Sequence, residues 1–182
     1  MNDDRGTYIE HDGRPAVRFR RRYAHPVERV WAAVSTPAEL VHWFPSSVEL
    51  EPTEGGTIRF AGDPYAEDST GTVLAYEPPR RLAFTWGGDE LHLTLEPLPE
   101  GGTQLTLINV LEARNTAARN AAGWHVCLET LEQHLAGAAT DGPHGSDEDW
   151  KPVYVAYVAD GLPSGAPVPG LDQGAVDAGV TP

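Results

Sequence analysis

The chain of 182 residues is short of several things at once: it has one cysteine, one methionine and one lysine. With Cys127 alone, no internal disulfide can form. Lys151 is the sole lysine, and basic residues are scarce overall, 13 against 27 acids, giving a formal net charge of −14. Such a chain lacks the basic footprint of a nucleic-acid-binding surface, so no nucleic-acid partner is expected. Its charge favours solubility and disfavours non-specific association. No stretch approaches the ~20 apolar residues of a membrane span, which excludes membrane insertion through a helix. The first segment, MNDDRGTYIEHDG, is acidic and has no apolar centre, so no signal peptide is read there. The expectation is a soluble, cytoplasmic protein.

Chemistry-bearing motifs are equally sparse. The histidines are His11, His25, His42, His92, His125, His134 and His144, and no pair has the spacing of a metal-binding motif. No metal site and no cofactor is expected. No nucleophilic serine stands in a Gly-x-Ser-x-Gly context, and Cys127 flanks an apolar stripe as a small packing residue would. The pairs Gly55-Gly56, Gly87-Gly88 and Gly101-Gly102 lie between strand-like segments and read as hairpin turns, not as phosphate-binding loops entering helices.

What the chain does have is regular patterning. Ala16–Ala24 alternates, with Val17, Phe19, Arg21 and Tyr23 on one face and Arg18, Arg20 and Arg22 on the other. Arg21 stands on the apolar face, where it needs a partner or a path to water. His25-Pro26 ends this strand, and Val27, Val30, Trp31 and Val34 recur at helical spacing. Thr36-Pro37 starts a second short helix, with Glu39 completing a capping box. Short alternating segments follow at 47–51, 57–61, 70–76, 81–86, 90–96 and 103–109, separated by Gly- or Pro-containing turns. They predict an antiparallel meander. The strongest helix covers 115–135, where Ala117, Ala121, Trp124, Leu128, Leu131 and Leu135 form one stripe and Gly137 suits the C-terminal cap. Small residues at Ala117, Ala121 and Gly123 leave space at one half of it. Residues 138–182 are acidic with one base, and the segment from 161 onward is rich in Gly and Pro.

The fold class read from this order is α+β. The segments HPVERVWAAVSTPAELVHWF, TGTVLAYEPPRRLAFTW and GGTQLTL, with the Gly-Trp of the last helix, resemble the bacterial single-domain relatives of the Hsp90 ATPase activator's C-terminal domain. These belong to the START-like (polyketide cyclase, Bet v 1-like) superfamily. The resemblance implies a helix-grip fold: a curved seven-stranded antiparallel sheet around a long C-terminal helix, with two short helices after the first strand. The organisation expected is a flexible 1–13, a helix-grip domain at 14–137, an acidic tail with a short docked segment at 138–160 and a disordered tail at 161–182.

For function, the first reading is a non-enzymatic protein holding a small apolar or amphipathic ligand between sheet and long helix. Trp43, Phe44, Phe60, Trp86, Leu93, Leu107, Ala117, Ala121, Trp124 and Leu128 are the expected lining. Arg21 and Asn109, the two polar residues placed on inward strand faces, would orient a polar group of the ligand. Two alternatives stand beside it. One is a polyketide cyclase or dehydratase-like enzyme, which needs an acid or base facing the pocket; none is placed there by pattern. The other is a co-chaperone-like module binding a protein partner through the Arg18/Arg20/Arg22 stripe or the acidic tail.

Overall fold

The structure, a computed structural model, describes residues 4–144 and 147–168. Its elements run β1 (Thr7–His11), β2 (Arg14–Tyr23), α1 (Val27–Ser35), α2 (Pro37–Leu40), β3 (Ser47–Leu50), β4 (Thr57–Ala61), β5 (Ser69–Glu77), β6 (Arg81–Trp86), β7 (Asp89–Pro97), β8 (Thr103–Val110), α3 (Ala117–Leu135) and α4 (Asp147–Ala159). One 3-10 turn, Arg114–Thr116, leads into α3.

All strand pairs are antiparallel, in the order β1-β2-β8-β7-β6-β5-β4-β3. The sheet therefore has eight strands, one more than expected. The extra strand is β1, which corrects the expectation of a flexible 1–13. Asp12 and Gly13 both take positive φ, 49° and 77°, and close a two-residue hairpin that pairs His11 with Arg14. An Asp-Gly pair is the residue choice such a turn favours.

The inward faces of the strands carry Val17, Phe19, Phe60, Phe84, Leu91, Leu93, Leu105 and Leu107, all buried against α3. The stripe of α3, including Ala117, Ala121, Trp124, Leu128, Leu131 and Leu135, is buried in return. Helices α1 and α2 join strand β2 to β3. The capping box at Thr36 and Glu39 does not form, because Thr36 makes no side-chain cap. Glu39 instead accepts from Arg29 at 2.9 Å and pairs with His134 of α3 at 2.7 Å. The bond to His134, then that to Arg29, holds the Glu39 carboxyl below the usual range against the opposing effect of burial.

The segment expected to dock at 138–160 is a helix of 13 residues packed on α3, with Trp150, Val153 and Tyr154 against the core. Beyond it, Leu162 also packs on the core, and Ala166 and Val168 are buried. The Pro163 carbonyl accepts from Ala118 N–H, and the Asn115 carbonyl accepts from Ala166 N–H. Residues 161–168 thus run along the start of α3, where helical N–H groups need partners, instead of hanging free. The remainder of the expected disordered tail lies outside the described residues.

Candidate functional site

Large aromatics gather where β4, β6, the end of α2 and α3 converge. Phe44 lies 5.2 Å from Trp86 and 5.7 Å from Trp124 by ring centroids. Phe60 stacks against Phe44 at 6.2 Å and lies 5.5 Å from Trp86. Trp86 meets Trp124 edge-on at 5.6 Å. This cluster fills much of the space between the sheet and α3. The open volume lies beside it, on the side of α3 that faces the β4–β5 loop and α4.

That cavity measures about 420 Å³, within the range of small-molecule sites. Trp86 and Trp124 form its inner wall. Asn120, Gly123 and Cys127 extend along α3, Asp63 and Tyr65 come from the β4–β5 loop, and Trp150, Lys151, His144 and Val168 close it from the C-terminal side. A side chain at Gly123 would meet nothing within 4 Å, so the helix is at its thinnest facing the void.

Of the residues expected to line a ligand site, Trp86 and Trp124 line this cavity. Phe44 and Phe60 stand behind them. Leu93 and Leu107 of the sheet and Ala117, Ala121 and Leu128 of α3 are core residues. Trp43 is fully buried, its indole N–H donating to the Ala33 carbonyl at 2.9 Å, which ties α2 to α1 instead of facing a ligand.

Arg21 and Asn109 are not brought together. Asn109 pairs with Val17 and Arg21 with Leu105, so four residues of β2, about 13 Å, separate them. Asn109 belongs to a saturated network. Its amide donates to Asp89 Oδ2 at 3.0 Å, and its carbonyl oxygen accepts from Trp124 Nε1 and Asn120 Nδ2, each at 3.0 Å. Asn120 Nδ2 also donates to Asp89 Oδ2 at 2.9 Å, and Asp89 Oδ1 accepts from Glu112 N–H at 2.8 Å. Asn109 therefore fixes the Trp124 ring and has no group left for a ligand. Arg119 extends the network outward, its Nε–H donating to Asn120 Oδ1 at 3.2 Å.

Arg21 lies at the other end of α3. Its side chain is 6% exposed, Nη1 is 3.6 Å from Asp4 Oδ1, and Nε and Nη2 find no acceptor. Tyr23 Oη on the same strand face is also buried without a partner, and burial raises its pKa far above the usual range. Nearby, Tyr157 of α4 accepts from Gly6 N–H at 2.8 Å and donates to His125 Nδ1 at 2.9 Å. The His125 Nε2–H then donates to Glu129 at 3.0 Å. Burial lowers the His125 pKa, keeping the ring neutral.

The Cys127 thiol is buried, and that burial, with Asp63 adding to it, raises its pKa far out of the reactive range. Among the described residues, no group of three or more His, Cys, Asp or Glu side chains converges as a metal site. No described helix is long and apolar enough to cross a membrane. The residues missed by sequence reading were those flanking the stripe, Arg119, Asn120 and Cys127. Asn120 and Cys127 lie four before and three after Trp124, so their helical spacing does signal the same side of α3. The docked segment expected at 138–160 was not assigned to the site, yet Pro143, His144, Trp150 and Lys151 line this cavity, with Val168 beyond them.

Comparison with known proteins adds the following. The family model described as Activator of Hsp90 ATPase homolog 1-like protein matches residues 24–136. CalU16 from Micromonospora echinospora has a similar crystal structure, with TM-score 0.63 and 25% identity over 85% of this chain and 93% of that one. The protein encoded by BPP1335 of Bordetella parapertussis is similar at TM-score 0.66 and 27% identity, over 86% and 90% of the two chains. EF2215 from Enterococcus faecalis, described as a conserved protein of unknown function, shares the fold at TM-score 0.69 and 21% identity, over 87% and 91%. Sequence comparison with curated proteins yields no significant match.

Proposed function

The chain belongs to the family of Activator of Hsp90 ATPase homolog 1-like proteins, and from that footing we propose that it binds a small, largely apolar molecule in the cavity beside α3 without transforming it. The observation that carries this reading is an open volume of about 420 Å³, walled by Trp86, Trp124 and Trp150, beside a buried apolar core. Trp86, Trp124 and Trp150 offer flat apolar faces, and the Asp89–Asn109 network holds the Trp124 ring in place. Burying ~300 Å² of ligand apolar surface contributes about 7 kcal/mol before the costs of association, which is enough for micromolar affinity at best.

The test is titration of a naphthalene-based fluorophore into the protein, alongside a Gly123→Leu variant. The leucine projects into the void from a helical position, so the fold should persist by circular dichroism. Binding should weaken by tenfold or more. A Gly123→Leu protein that binds the probe as tightly as the parent would sink the assignment.

One observation favours a second reading. Asp63 brings a carboxylate, and His144 an imidazole, to the same cavity wall. A cyclase-like enzyme needs such groups as acid or base. They are held apart in function: Asp63 Oδ1 accepts from Tyr65 N–H at 2.8 Å, and His144 Nε2 bonds the Pro45 carbonyl at 2.8 Å. The pair shares no hydrogen bond, which is why binding is the preferred reading.

A further inference from the structure

We propose that the molecule taken by this cavity is an acid, an aromatic or polycyclic body bearing a carboxylate or comparable oxyanion that pairs with Arg119 and Lys151. This rests on the binding reading above and adds the charge of the ligand.

The argument starts from where the cations are. In a chain of net charge −14, half of the arginines are matched to carboxylates: Arg5 to Asp160, Arg14 to Glu90, Arg21 to Asp4, Arg29 to Glu39, Arg59 to Glu49 and Arg81 to Glu77. Of the others, Arg18, Arg20 and Arg22 stand on the outer strand face, Arg80 in a hairpin turn and Arg114 over the Tyr8 ring. Arg119 and the single lysine are the exceptions that line a cavity, and neither pairs with a carboxylate among the residues whose side chains are described, Asp147 and Glu148 not being among these.

Arg119 is also aimed. Its Nε–H donates to Asn120 Oδ1 at 3.2 Å and its Nη1–H to the Pro167 carbonyl at 2.9 Å, while Nη2 has no partner among the described residues. Asn120 is itself fixed by Asp89 and Asn109. A guanidinium held at two nitrogens loses little further freedom when the third takes an oxyanion. Among the described lining residues Asp63 is the carboxylate, and its Oδ1 is engaged by its own loop through Tyr65 N–H. Two cations thus stand against one carboxylate in the described wall.

The arrangement also sets the shape of the ligand. The α3 residues lining the cavity run from Arg119 to Cys127, about 12 Å of helix. The cation stands at one end of that run and the Trp124 ring toward its middle. A flat body against the tryptophans with an acid at its edge satisfies both.

The test compares 2-naphthoate with 2-naphthamide, the same ring system with and without the charge, by calorimetric titration of the full chain. The acid should bind about tenfold tighter than the amide. Lys151→Gln and Arg119→Gln should each reduce that preference several-fold, lowering acid affinity more than amide affinity, and Lys151→Arg should restore it in place of Lys151→Gln. Lys151 is exposed on α4, so its substitution leaves the fold intact even if loss of the Arg119–Pro167 contact loosens the other variant. Equal or tighter binding of the amide overturns the proposal while leaving the binding reading standing. Binding of both probes that ignores Gly123→Leu, or no binding of either, overturns the cavity reading and this inference with it.

Discussion

Replacing Arg21 by methionine should make the protein more stable. The guanidinium is 6% exposed, and its sole ion pair is 3.6 Å long to an Asp4 carboxylate that is half exposed. A contact of that kind contributes about 0–1 kcal/mol. Nε and Nη2 are buried without acceptors, and each unmet donor costs about 1–3 kcal/mol. Methionine keeps the apolar stem against Phe19 and α3 and removes both orphans. Even with only one orphan counted at full cost and the Asp4 pair lost, the balance favours the variant by about 2 kcal/mol. For a domain of this size that is a rise in Tm of roughly 4–8 °C. Urea unfolding followed by tryptophan fluorescence reads the effect as a higher midpoint at unchanged slope. A midpoint lowered by the equivalent of 1 kcal/mol or more would refute the reasoning, for it would mean that a bound water or ion satisfies those donors in solution.

Two further predictions concern α4 and acid. Tyr157→Phe strips Gly6 N–H of its acceptor and His125 Nδ1 of its donor; it should cost about 1–3 kcal/mol in the same assay, with amide exchange at Gly6 accelerating first. Stability should also fall with acid in two stages. His125 has a lowered folded pKa because it is buried, so the unfolded chain binds the extra proton and stability is lost as pH falls from about 6.5 toward the folded value. Glu39 and Glu90, both lowered first by hydrogen bonds to histidine and then by arginine, add a second loss below about 4.3, as pH falls through their folded values. In His125→Gln the first stage should vanish from the urea midpoint plotted against pH, and its persistence would count against the assignment.

The sheet was legible because most of its strands alternate cleanly: Leu91, Leu93 and Leu95 turn inward while His92 and Thr94 do not. The long helix was legible because one stripe of six residues sits on one side of it. The β1 strand escaped because its polar flanks masked an Asp-Gly turn. The aromatic cluster could be named residue by residue, but which face of a tryptophan meets solvent depends on tertiary packing, and periodicity carries none of that information. Asn109 and Arg21 illustrate the same limit. Both point inward, as read, yet only the register with β8 decides that one is locked to Trp124 and the other is stranded near Asp4. The wall contributed by His144, Trp150 and Val168 comes from a segment whose composition reads as tail, and long-range docking leaves little trace in local pattern.

The position of β1–β2 in the sheet has a consequence for biosynthesis. This hairpin leaves the ribosome before the other strands of the sheet, yet its neighbour is β8, and the Gly6–Tyr157 bond joins residues 151 apart. Until β8 is made, β2 presents an unpaired edge carrying Phe19 and Tyr23, the kind of surface that recruits other strands. Long loops must close before these contacts return any stabilisation, which slows folding. The arginines on the outer face of β2 supply charge during that interval. The strands made before the rest of the sheet are thus secured last, when α4 arrives to hold them.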